Sequence, residues 1–145
     1  MQQNHMELKI PALPVNEAFA RNAVASFALP LSPTVEEVSD LKTAVSEAVT
    51  NCIVHAYRGR GGEIRLSASY EKQRFIVRIE DDGEGIPDVE QAMKPFYTTN
   101  AQGERSGMGF TVMRAFTDVL TVTSRPGEGT TVVMEKSIGG SVDAE

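Results

Sequence analysis

Between Thr34 and Tyr57 the residues Val38, Leu41, Val45, Ala48, Cys52 and Ala56 recur at steps of three and four. Turned through about 100° per residue, they fall on one stripe, which marks a long helix with a single side to bury. Thr34 followed by Glu37 is a capping box that fixes its start, and Gly59, Gly61 and Gly62 break it. Period-2 runs then follow at 63–70 and 74–80, joined by Glu71-Lys72-Gln73, which reads as a hairpin. A second pair, at 119–124 and 130–137, flanks the turn Arg125-Pro126-Gly127-Glu128-Gly129. A sheet covered on one side by helices accounts for this layout.

The remaining segments fit the same plan. Residues 6–12 begin as a half-buried strand that Pro11 and Pro14 end, so an edge strand is expected. Asn16 is a candidate cap for a helix over 17–29 that buries Phe19, Ala23 and Phe27 and stops at Pro30 and Pro33. Residues 83–100 read as a loop with one helical turn near 89–93. Ser106 is a candidate cap for a third helix reaching Phe116, and 139–145 read as a frayed tail. The expectation is an α+β single domain over 1–138: a two-layer sandwich whose sheet is mixed but mostly antiparallel, with helices on one face.

Composition narrows the classes of function. With 145 residues, one domain with a real core is the default. No apolar run approaches the roughly 20 residues of a membrane span. The N-terminus lacks the order of a secretory signal and Cys52 is the single cysteine, so a cytoplasmic protein without internal disulfides is expected. A net charge of −6 argues against direct nucleic-acid binding, because phosphate contacts need a basic surface. One cysteine and two distant histidines offer no zinc spacing. The acids Glu80, Asp81, Asp82, Glu84, Asp88 and Glu90 favour either a divalent cation with its nucleotide or a solvated loop.

On the long helix Glu47, Asn51 and His55 share a sector beside the apolar stripe, at the border of the core. A carboxylate and an amide one turn apart can converge on a single ion or water. The amide oxygen of Asn51 suits magnesium, which takes hard oxygen ligands. Glu47 can accept the proton of an attacking hydroxyl. Asp81, straight after a strand, can accept a hydrogen bond from an exocyclic amine, while Gly83 and Gly85 let backbone pass close to a base. Gly107 and Gly109 precede a helix, whose first amides suit phosphate oxygens, and Arg105 can reach a terminal phosphate. The P-loop, dinucleotide-binding and eukaryotic kinase signatures are all lacking.

Four pieces in order, Glu47-x-x-x-Asn51, Asp81-x-Gly83-x-Gly85, Ser106-Gly107-Met108-Gly109-Phe110 and Gly127-x-Gly129-Thr130-Thr131, resemble the GHKL ATPases, whose fold is the Bergerat fold. The resemblance implies an ATP or ADP site with Mg2+ on Asn51, adenine on Asp81, and Thr130 as the last adenine-side contact. It implies Ser106, Gly107, Met108, Gly109 and Phe110 at the phosphates. It also implies a mobile lid over 95–103 that carries Thr98 and Thr99, and Glu47 and Arg105 as catalytic residues.

Within that group the chain is most similar to the small serine kinases that are also anti-sigma factors, in their sporulation branch. The carrying segments are Asn16-Glu17-x-Phe19-Ala20-Arg21, residues 45–51, Asp82-Gly83-x-Gly85-Ile86-Pro87-Asp88 and residues 104–111. That resemblance implies a homodimer, joined through residues 6–12 and the first helix. It also implies an ATP-dependent protein-serine kinase that binds a sigma factor of the F type, contacts its partner through Arg21, and phosphorylates a serine of a small anti-anti-sigma protein. Two alternatives stay open: the general stress-response relative with another sigma factor, and a module that binds ATP without catalysis.

Overall fold

A computed structural model of the protein describes residues 3–94 and 109–139. The chain runs through strand β1 (Asn4–Pro11), helix α1 (Val15–Ala28), a 3₁₀ turn (Leu29–Leu31) and helix α2 (Val35–Thr50), which continues as a π-helical turn (Asn51–Ala56). Strands β2 (Glu63–Glu71) and β3 (Arg74–Asp81), short helices α3 (Val89–Ala92) and α4 (Gly109–Ala115), and strands β4 (Val119–Arg125) and β5 (Gly129–Ser137) follow.

The capping box forms as the sequence implies. Thr34 Oγ1 accepts the Glu37 N–H at 3.0 Å, and Glu37 Oε1 accepts the Thr34 N–H at 2.9 Å. The same Glu37 Oε1 also accepts the Gly139 N–H at 3.1 Å, so the chain after β5 is tied to the first turn of α2. Gly139 is therefore buried and anchored rather than frayed; the tail from 140 onward lies outside the described residues. The middle of the expected stripe is buried, at Leu41, Val45, Ala48 and Cys52, joined by Ala44, Val49 and Ile53, while Val38 and Ala56 at its ends are half-buried.

Helix α1 departs from expectation in two ways. It starts at Val15 with Pro14 at the N-cap, while Asn16 donates its side-chain amide to Pro11 O at 2.9 Å instead of capping. Its buried residues are Ala20, Val24, Ala25 and Ala28, one step on from Phe19, Ala23 and Phe27, and Phe19 is 52% exposed. Small side chains on this face let α1 lie close against α2, and a phenylalanine there would hold the helices apart. Phe27 sits at the margin, against Tyr70 at 5.2 Å and Phe75 at 6.1 Å between ring centroids.

The sheet order is β1-β2-β3-β5-β4. Among the described residues all four pairings are antiparallel, so the mixed, mostly antiparallel sheet expected from the sequence is corrected to an antiparallel one there. Antiparallel sheets commonly bury one face and wet the other. Here Ile64, Leu66, Ala68 and Tyr70 of β2 and Phe75, Val77 and Ile79 of β3 point toward the helices. The opposite face carries paired charges: Arg65 with Glu63, Glu80 and Asp82, Arg78 with Glu80, and Arg74 with Glu135.

Candidate functional site

Strand parity sorts Asp81, the last residue of β3, from Asp82, the residue after it. Successive side chains on a strand face opposite sides, so Asp81 enters the helix side of the sheet and is 6% exposed. Asp82 turns to the wet face, where Arg65 takes both its oxygens, at 2.8 and 3.0 Å. The Arg65 guanidinium holds the Asp82 carboxyl below the usual aspartate value. Burial pushes the Asp81 carboxyl up instead, partly offset by the Gly83 N–H at 2.9 Å, the Cys52 thiol and the Thr130 N–H. The Cys52 thiol itself is raised well above its ordinary value by burial and by the Asp81 charge.

Asp81 stands in the wall of a cavity of about 280 Å³ between the sheet and the end of α2. Asn51, Cys52 and His55 line it from the helix, Thr130 and Val132 from β5, Ile86 and Pro87 from the loop after β3, and Phe110 from α4. The sequence motifs thus meet: Asn51, Asp81, Gly85, Phe110 and Thr130 share one cavity. Gly109 packs on the amide of Asn51, since a Cβ there would lie 3.3 Å from both Oδ1 and Nδ2. Among the described residues Glu47 is not part of the lining; it is half-buried on α2, one turn before Asn51. Thr98, Thr99, Arg105, Ser106, Gly107 and Met108 lie outside the described residues.

The π-helical turn alters what the helix offers the site. Tyr57 N–H reaches back five residues to Cys52 O at 3.0 Å, the wider pairing that π turns make. Ala56 O instead accepts the Glu84 N–H at 3.0 Å, and Gly83 packs so closely on Ala56 that no side chain fits between them. On its other side the loop is stitched to the β4–β5 hairpin. Gly127 N–H bonds Glu84 O at 2.6 Å, and Ser124 Oγ accepts the Ile86 N–H at 2.7 Å while contacting Thr130 Oγ1 at 2.8 Å. Gly85 needs its φ of +78° and its missing Cβ, because Arg125 O occupies that space.

The acidic run therefore resolves into separate duties and forms no metal cluster among the described residues. Glu80 and Asp82 pair with Arg65, Glu84 pairs with Arg58 at 2.6 Å, and Asp88 caps α3. Arg21 is held by Glu17 on α1, and the Ser46 side chain also bonds Glu17. Neither Tyr57 nor Ser124 stood out in the sequence, because hydroxyls that bond backbone atoms of another segment leave no local spacing to read.

A two-layer α+β fold with an amide-bearing helix and a buried aspartate beside glycine turns defines the class. The histidine kinase-like ATPase domain family matches residues 10–136, and the chain belongs to it, a family whose domain binds nucleotide. Within it, the chain is 54% identical to an anti-sigma F factor of Caldanaerobacter subterraneus over 94% of this chain and 95% of that protein. It is 50% identical to an anti-sigma F factor of Clostridium acetobutylicum over 94% and 95%. These put the chain in the family of anti-sigma F factors. Among solved structures, the RsbU and RsbW domains of Rv1364c from Mycobacterium tuberculosis share the fold with a TM-score of 0.67 at 15% identity, over 93% of this chain and 32% of that one. No described helix is long and apolar enough to cross a membrane.

Proposed function

We propose that this protein binds and restrains a sigma factor of the F type and, as an ATP-dependent protein-serine kinase, phosphorylates a serine of a small anti-anti-sigma partner. The observation that carries the reading is the convergence of Asn51, Asp81 and Thr130 on one cavity, in a chain about half identical to anti-sigma F factors. Asp81 is buried and aimed at the cavity, so its ionised oxygen suits the exocyclic amine of adenine. The Asn51 amide oxygen is a hard donor that fits Mg2+, which would supply charge neutralisation at the phosphates.

Phosphoryl transfer here is mainly positioning. The bond from the serine oxygen to the γ-phosphorus forms, the bond from that phosphorus to the β,γ-bridging oxygen breaks, and ADP leaves. The serine proton passes to a carboxylate, for which Glu47, one turn from Asn51, is the candidate. A homodimer through the β1 edge, with Arg21 as a partner contact, completes the reading. Incubation with labelled ATP, Mg2+ and the anti-anti-sigma protein encoded beside this chain should label a serine. Absence of label at nucleotide concentrations that saturate the site would refute the kinase role.

A second reading rests on the same cavity without a transfer step: ATP serves as a structural ligand that tunes sigma-factor affinity. Glu47→Gln separates the two. In the kinase it abolishes labelling and spares partner binding; in the module it changes neither.

A further inference from the structure

The β2–β3 ladder ends at the pair Ile64↔Asp81, and the next residues in register are Glu63 and Asp82. Those two do not bond each other: the Tyr57 hydroxyl sits between them, donating to Glu63 O at 2.6 Å and accepting the Asp82 N–H at 2.7 Å. A side chain from the end of the helix thus occupies the place of a ladder rung. The ring that carries the hydroxyl is seated against Gly62, where any Cβ would collide with it. Its backbone N–H bonds Cys52 O, and the Cys52 thiol bonds Asp81. Tyr57 therefore holds both neighbours of the buried carboxylate, one through its backbone and one through its hydroxyl.

We propose that Tyr57 is a positioning residue for base recognition: its inserted hydroxyl ends the ladder after Asp81, fixes the Asp81–Gly83 turn, and so aims the carboxylate at the adenine amine. The proposal rests on the nucleotide reading above. Without the hydroxyl, Glu63 and Asp82 can approach and add a rung. Asp82 would then be drawn toward β2, and the Gly83 N–H that orients Asp81 Oδ1 would move with it. The hydroxyl is suited to the task because it donates and accepts at once, and phenylalanine keeps the ring but does neither. Burial and the neighbouring Asp81 and Asp82 charges keep the phenol protonated, although its bond to Asp82 N–H opposes this.

The test compares ATP with ITP, which carries a carbonyl where adenine has its amine. Wild type should prefer ATP. In Tyr57→Phe, loss of two neutral hydrogen bonds should weaken ATP binding on the order of tenfold and leave ITP binding nearly unchanged, so that the preference collapses. A general loss of stability would lower both affinities together, and that outcome, like a retained preference, overturns the proposal. Gly62→Ala supplies a second route, displacing the ring while keeping the hydroxyl. It should show the same collapse, and it decides the matter if Tyr57→Phe does not fold. A wild type indifferent between ATP and ITP would remove the adenine reading itself, a result separable from failure of Tyr57 alone.

Discussion

Gly83→Ala tests how tightly the loop after β3 is built against the helix. Gly83 has no positive φ, so its backbone tolerates alanine; the obstacle is the Ala56 carbonyl, which fills the place of the new methyl. Backbone cannot swing aside as a side-chain end can. Overpacking of this kind costs about 1–3 kcal/mol, and parting the loop from the helix also strains the Glu84 N–H to Ala56 O bond, worth about 1 kcal/mol. The sum, roughly 2–4 kcal/mol, corresponds to a Tm lower by roughly 6–12 °C in a chain of this size. Gly59→Ala is the control, with φ +75° and nothing within 4 Å of its Cβ. It carries only the left-handed strain of about 1–2 kcal/mol. Urea unfolding with parallel ATP titration reads both variants. Gly83→Ala should lose stability and nucleotide affinity together, since the Gly83 N–H orients Asp81; Gly59→Ala should lose stability alone. Equal ATP affinity in the two variants, or a Gly83→Ala cost below about 0.5 kcal/mol, refutes the argument.

Acidification should weaken ATP binding in a window that opens above the ordinary aspartate value of 3.8, because burial raises the Asp81 carboxyl. In the proposed adenine site, protonation there removes the acceptor for the amine, so affinity should fall as pH falls, while ITP titrated in parallel should not follow. The linked stability has the opposite sense: a buried carboxyl with a raised folded value costs stability as pH rises through the window. An ATP affinity that stays flat until below 3.8 would contradict the burial argument. At the other end of α2, Thr34→Ala should cost about 1 kcal/mol as a lost cap. Glu37→Ala should cost more, because Glu37 Oε1 also binds the Gly139 N–H. Chemical denaturation that ranks them in the reverse order would argue against the tie between α2 and the end of β5.

Elements set by local rules were legible in the sequence. The Thr34–Glu37 box, the α2 stripe and all four hairpin strands depend on spacing within one segment, and they stand within a residue or so of their expected bounds. Asn51 and Asp81 were legible as candidates because an amide beside a carboxylate on one helix face, and an aspartate straight after a strand among glycines, suit a ligand; Thr130 was legible only through the resemblance. What escaped depends on contacts between segments. Whether α1 turns Phe19 or Ala20 inward is decided by how near α2 can come, and both lie on the apolar side of the helix. The π turn differs from an α turn by one residue's pairing and changes no local pattern. Tyr57 and Ser124 act on backbone atoms of distant segments, and only the assembled loop reveals them.

The opposite fates of Asp81 and Asp82 carry a consequence for how this chain can vary. Both are aspartates, and a slip of one residue in β3 would leave charge, composition and hairpin length nearly intact. It would nonetheless deliver the acid now held by Arg65 into the cavity beside α2 and send the other into water, and it would turn Phe75, Val77 and Ile79 outward. Length changes upstream of the site must therefore be absorbed in the turn at Lys72 or come in pairs. At this point in the sheet, insertions and deletions are a sharper filter on viable descendants than substitutions are.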